Sequence, residues 1–200
     1  MAPNRIMRGR FVRRALLLGA VAAALAAGLG ACGGGSDVTT TAQEKEEDAA
    51  VMNEVLGRQL AAAQAYGEVL PSLHGADLAL ARKFGAQEQE HADASTKMLR
   101  GLGADAEPEE ETIEVQELKT RRDALAFLYE MESTTIDEEL SALGLLHLSW
   151  PRPELASMVA NQSQHLVLIR RALGAAPLET VPQAFETGET PAPEGMIEKP

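Results

Sequence analysis

QEQEH at residues 87–91 and NQSQH at residues 161–165 have the same shape, and what they share decides the fold. In the first, Glu88-x-x-His91 sets a carboxylate and an imidazole three residues apart, a spacing that puts both on one face of an α-helix. In the second, Gln162-x-x-His165 repeats the spacing with an amide in place of the acid. Each sits inside an apolar stripe of helical period. Around the first run Leu78, Ala81, Phe84, Ser95, Met98 and Leu102; around the second run Leu155, Met158, Val159, Leu166, Ile169 and Leu173. A polar side chain on such a stripe is informative, because the stripe is the face that will be buried.

Two more helices carry the same feature. Met52, Leu56, Gln59, Ala63, Tyr66 and Leu70 form one stripe; Leu125, Leu128, Glu132, Ile136 and Leu143 form another, with Glu139 one or two turns beyond Glu132. Ala, Leu, Glu and Gln abound, aromatic residues are only 4% of the chain, and β-branched runs of strand length are scarce, which favours an all-α fold. The periodicity predicts helices near Ala49–Leu73, Ala76–Leu102, Val115–His147 and Pro153–Leu173. Leu102-Gly103 and Leu173-Gly174 are stop signals, and Trp150-Pro151-Arg152-Pro153 is a turn that opens the last helix. Helices of about 20 to 30 residues, roughly 30 to 45 Å long, suit a four-helix bundle. The first and last turns are short. The Gly103–Glu114 link is longer and rich in Pro and Glu, long enough to cross the length of the bundle between the second and third helices.

Each helix thus brings polar groups to mid-length on its inward face. An ionised carboxylate in a dry core costs several kcal/mol unless it is paired, and a divalent cation is the usual remedy. The residues resemble the secreted bacterial ferritin-like domain proteins over roughly residues 49–185. QEQEHADAS (residues 87–95) is close to that family's second-helix signature, and MESTTIDEEL (131–140) resembles its third, which marks Glu132 rather than Glu130 as the matching acid. QLAAAQAY (59–66) places Gln59 at the first-helix ligand position, Gln162-x-x-His165 stands for the fourth helix, and VPQAFETG (181–188) resembles the tail segment. The resemblance implies a ferritin-like four-helix bundle whose centre holds metal through Glu88, His91, Glu132 and His165, with Gln59, Gln162 and Glu139 as weaker candidates.

Charge bears on how many ions such a centre takes. A full site sets four carboxylates against two divalent ions, whereas Glu88 and Glu132 offer two negative charges, which match one ion. Gln59 and Gln162 then serve as hydrogen-bonding groups or weak ligands. Glu139, where the family has an aromatic residue, is placed to restore one carboxylate. Three readings are open: one iron or manganese ion, two ions, or none, the last with His91 and His165 bonded to Glu132 and Glu88 in a metal-free network that fixes bundle register. They sort into two functions, a redox-active metal protein or a non-enzymatic envelope protein that binds or supports through the scaffold. Glu54, Glu68, Glu130 and Glu138 read as solvated, His74 and His147 as incidental, and Met98, Met131 and Met158 as packing.

The N-terminus speaks to location. Five arginines (Arg5, Arg8, Arg10, Arg13, Arg14) precede the uncharged run Ala15–Ala31, which ends in Leu29-Gly30-Ala31-Cys32. This resembles a bacterial export signal with a lipobox over residues 1–31, in which Cys32 takes the lipid and becomes the new N-terminus. Arg13-Arg14 leaves the twin-arginine and general export routes both open. Cys32 is the only cysteine, so no intramolecular disulfide exists. Residues 32–48 read as a flexible tether, 49–173 as the bundle, and 174–200, with five prolines, as an irregular tail. The formal net charge is −12, and taking those five arginines from 18 Lys and Arg against 30 Asp and Glu leaves −17. That balance repels nucleic acid, so the expected partner is the membrane, through a lipid anchor on the extracytoplasmic side; a homodimer is left open.

Overall fold

A computed structural model describes residues 41–108, 111–115 and 118–181. The stretch expected to be an export signal, Cys32 and most of the expected tail lie outside these residues. Four helices make up the fold: α1 (Ala42–Val69), α2 (Gly75–Leu102), α3 (Arg121–Leu145) and α4 (Arg152–Leu173), with a single 3-10 turn at Leu70–Ser72. No strand occurs among the described residues. No helix among them is long and apolar enough to cross a membrane.

Capping chemistry sets the starts. Thr41 accepts a hydrogen bond from the Glu44 N–H at 3.1 Å while Glu44 accepts from the Thr41 N–H at 2.7 Å, a reciprocal capping box. The first helix therefore begins at Ala42, seven residues before the expected start, and residues 42–48 are helix rather than tether. Thr120 and Asp123 form a second such box, so α3 begins at Arg121 and not near Val115. Ile113, Val115 and Leu118 instead line the crossover and pack on the core. At its far end α3 stops at Leu145 because the carboxylate of buried Asp48 takes the N–H groups of His147 (2.7 Å) and Leu148 (2.9 Å). Gly103 (φ 80°) and Gly174 (φ 95°) close α2 and α4 in the left-handed conformation that glycine adopts without a Cβ penalty.

The topology follows from which ends meet. Short turns make α1 and α2 one antiparallel hairpin and α3 and α4 another, and each helix packs most extensively within its own hairpin. Arg121 at the start of α3 pairs with Asp77 at the start of α2 (2.5 and 3.0 Å) and donates to the Ala172 carbonyl at the end of α4 (2.8 Å). The starts of α2 and α3 thus share one end, so the link from the end of α2 to the start of α3 is a crossover between opposite ends of the bundle, as expected. At the other end Asn53 of α1 accepts from the Glu107 N–H at 2.8 Å. The crossover is also held midway: Arg58 bonds Glu111 (2.7 Å) and Glu138. Glu138 is therefore a half-buried ion-pair partner and not a solvated acid.

Apolar burial falls into two clusters. One, at the crossover's α3 end, joins Tyr66, Val69, Leu73, Phe84, Leu125, Leu128, Leu166 and Ile169; the other joins Met52, Leu56, Leu99, Leu146, Leu155 and Met158. Between them lies a polar layer.

Candidate metal centre

Gln59 of α1, Glu88 and Ser95 of α2, Glu132 and Glu139 of α3, and Gln162 and His165 of α4 are all buried, none more than 1% exposed. Their inward orientation follows from spacing: Gln59 and Tyr66, Glu88 and Ser95, Glu132 and Glu139 are each seven residues apart, two helical turns on one face. The antiparallel hairpins and the crossover bring these faces together.

Three of the expected ligands form a tight group. Glu88, Glu132 and His165 each offer an atom within 4.8 Å of the others. Two atoms each about 2.1 Å from one ion lie at most about 4.2 Å apart, so small rotations suffice to close the set. His165 Nδ1 is 2.9 Å from Glu132 Oε1 and 3.6 Å from Glu88 Oε1. Its Nε2–H donates to Gln87 Oε1 at 3.0 Å, and its ring stacks on Phe84 with centroids 3.8 Å apart, so tautomer and orientation are both fixed. His91 stands apart from this group. It is half-buried at the rim, with Nδ1 3.4 Å from Glu88 Oε2.

The remaining candidates make an adjacent cluster. Gln59 Nε2 donates to Glu139 Oε1 (3.0 Å) and to Met158 Sδ (3.2 Å), while its Oε1 accepts from the Ser95 hydroxyl (2.7 Å). Gln162 Nε2 donates to both Glu88 Oε2 and Glu139 Oε1 at 3.3 Å. Met158 is thus a hydrogen-bond acceptor as well as packing. Tyr66 donates its hydroxyl to Glu132 Oε1.

Electrostatics show what the layer lacks. Burial pushes the Glu132 carboxyl well above the usual range, and the neighbouring Glu88 charge adds to this. Burial, with Glu88 again adding, raises Glu139 to about 8 despite hydrogen bonds from Gln59 and Gln162. Burial lowers His165 to about 4, so its imidazole is neutral at pH 7, and with the proton on Nε2 its Nδ1 lone pair faces carboxyl oxygens. Burial alone would lower His91, but the bond to and charge of Glu88, then the charges of Glu139 and Glu132, outweigh it and leave its pKa raised. Glu88 Oε1, Glu132 Oε2, Glu139 Oε2 and Gln162 Oε1 are buried without a hydrogen-bond partner. Acceptor atoms and a lone pair converge here, and either protons held on the acids or a cation satisfies them.

Sequence reasoning missed three contributors. Tyr66 and Ser95 lay on the stripes without being counted among the site residues; their hydroxyls at a seven-residue spacing from Gln59 and Glu88 were the available signal. Gln87 carries no such signal, since it is one residue off the stripe.

Residues 38–185 match the ferritin-like domain family, and the chain belongs to it. A crystal structure of ferritin-like, diiron-carboxylate proteins from Bacillus anthracis str. Ames is similar to this fold, with a TM-score of 0.55 and 20% sequence identity over 66% of this chain and 98% of that one. No match was found among curated proteins.

Proposed function

We propose that the chain is an exported, lipid-anchored ferritin-like protein that binds a redox-active metal ion, iron or manganese, at the centre of its bundle. The observation that carries this reading is the buried group of Glu88, Glu132 and His165, whose converging oxygen and nitrogen atoms include two carboxylate oxygens without a hydrogen-bond donor. The mixed carboxylate and imidazole set suits iron and manganese, and the diiron-carboxylate description of the similar Bacillus anthracis structure supports iron. A bound ion would supply one-electron exchange in a dry site. The chain's own residues do the rest: Gln87 and Phe84 orient His165, Tyr66 holds Glu132 by its hydroxyl, and the two apolar clusters exclude water. Export and anchoring rest on the arginine-led apolar run and Leu29-Gly30-Ala31-Cys32.

Elemental analysis of full-length protein, made with iron and manganese supplied, tests the metal reading. About one equivalent per chain is the expected result, and less than about a tenth overturns it. In that case the layer is a metal-free polar network, a role favoured by the hydrogen bonds with which the Gln162 amide already ties Glu88 to Glu139 across helices.

A further inference from the structure

Gln59 and Gln162 have their NH2 groups turned toward acid side chains. Gln162 places one nitrogen between Glu88 Oε2 and Glu139 Oε1, 3.3 Å from each, and Gln59 adds a second nitrogen 3.0 Å from the same Glu139 oxygen. The direction of the Gln59 amide is set by its far side, where Oε1 accepts the Ser95 hydroxyl at 2.7 Å. Reversing either amide would turn a carbonyl oxygen onto a carboxyl oxygen. Two partly positive nitrogens therefore sit among acid groups, where a cation bridging α1, α2, α3 and α4 would otherwise lie.

Resting on the metal reading above, we infer that these two amides occupy the place of a second cation and hold the centre to a single ion at Glu88, Glu132 and His165. Glu139 belongs to the second position, since it falls outside the close group formed by those three side chains. Its Oε1 is taken by the amides, and its Oε2 is buried without a partner. Charge agrees with the assignment. With Glu88, Glu132 and Glu139 ionised, three carboxylates and one divalent ion leave one net negative charge; changing both glutamines to glutamate gives five carboxylates, and two divalent ions leave the same. The exchange Gln59→Glu with Gln162→Glu removes four N–H donors and adds two anionic oxygen ligands around Glu139. It converts the amide clamp into a second binding position.

The test is manganese stoichiometry, with electron paramagnetic resonance as a second readout, on the full-length chain and on the Gln59→Glu/Gln162→Glu variant. The expected results are one equivalent with an isolated-ion spectrum for the unchanged chain, and two equivalents with an exchange-coupled spectrum for the variant. Two coupled ions in the unchanged chain overturn the inference, as does one isolated ion in a variant that keeps its helical circular dichroism. Should the double variant fail to fold, Gln162→Glu alone is expected to take up a second, weaker equivalent, and a single equivalent there overturns the inference equally. Metal-free protein in every arm defeats the underlying metal reading instead, which is a separate outcome.

Discussion

His165 Nδ1 stands 2.9 Å from Glu132 Oε1, and because the imidazole is neutral with its proton on Nε2, that contact needs either a proton on the acid or a shared cation. The two alternatives respond oppositely to Glu132→Gln. As a ligand, Glu132 cannot be replaced by an amide without loss, so iron or manganese affinity should fall at least tenfold. As a buried acid, it costs stability, so the metal-free variant should melt no lower than the metal-free parent. Titration of metal and thermal melts on the same samples check both; a lower melt with unchanged affinity would show a purely structural residue.

The pH dependence of the metal-free protein follows from opposed shifts. His165 is lowered from 6.5 to about 4, so between these values the unfolded chain binds more protons and stability rises with pH. Glu139 is raised from 4.5 to about 8, and Glu132 is also raised, so there the folded chain holds more protons and stability falls as pH rises. Above about pH 6.5 the lowered His165 no longer acts, whereas the two acids and His91, whose pKa is raised, all hold more protons in the folded chain, so stability of the metal-free protein should decline toward pH 8. Metal binding displaces those protons, so affinity should increase over the same window. Denaturant unfolding and metal titration at a series of pH values measure the two slopes; Glu139→Gln should flatten the first.

Asp48 and the chain after α3 offer a stability test away from the centre. Its carboxylate satisfies the His147 and Leu148 N–H groups, and Asp48→Ala leaves both without that acceptor. A loss of about 2–3 kcal/mol in denaturant unfolding is expected.

Two glycines should respond differently to alanine. A Cβ at Gly85 would meet Tyr66 Cβ at 2.9 Å, next to the α1 backbone, so Gly85→Ala should cost about 1–2 kcal/mol even after the gain in helix propensity. A Cβ at Gly101 would meet the far edge of the Trp150 ring at 2.8 Å, and Trp150 is half exposed and free to swing. Gly101→Ala should be neutral or stabilising. Thermal melts of the two variants decide.

The anchoring proposal is checked by fractionation. Cys32→Ser should move the protein from membranes to the soluble fraction. Retention on membranes after signal removal would defeat the lipid assignment.

Much of the fold was legible because it rests on periodicity. The stripes around Glu88 and Gln162 placed α2 and α4 to within a residue or so, and the phase of Glu132 put it opposite them. The ends were less legible. Thr41-x-x-Glu44 and Thr120-x-x-Asp123 are readable capping boxes, but the charged run after Thr41 resembles a tether, and the apolar Val115 and Leu118 read as the start of a helix while packing, with Ile113, on the core outside any helix. Partner choice was not legible at all. That the Gln162 nitrogen lies between Glu88 and Glu139, and that Glu138 meets Arg58, depend on helix rotation and side-chain direction, neither of which the stripe encodes.

The polar layer separates the two apolar clusters, and that division constrains the bundle in a way neither cluster does. Leucines tolerate sliding: one helix moved by a turn, about 5.4 Å, against its neighbours still finds apolar surface. Glu88, Glu132 and His165 do not, because the same slip would bury acids among aliphatic side chains with neither amide nor imidazole in reach. The centre therefore acts as an index mark, admitting one alignment of four helices whose apolar faces alone would accept several.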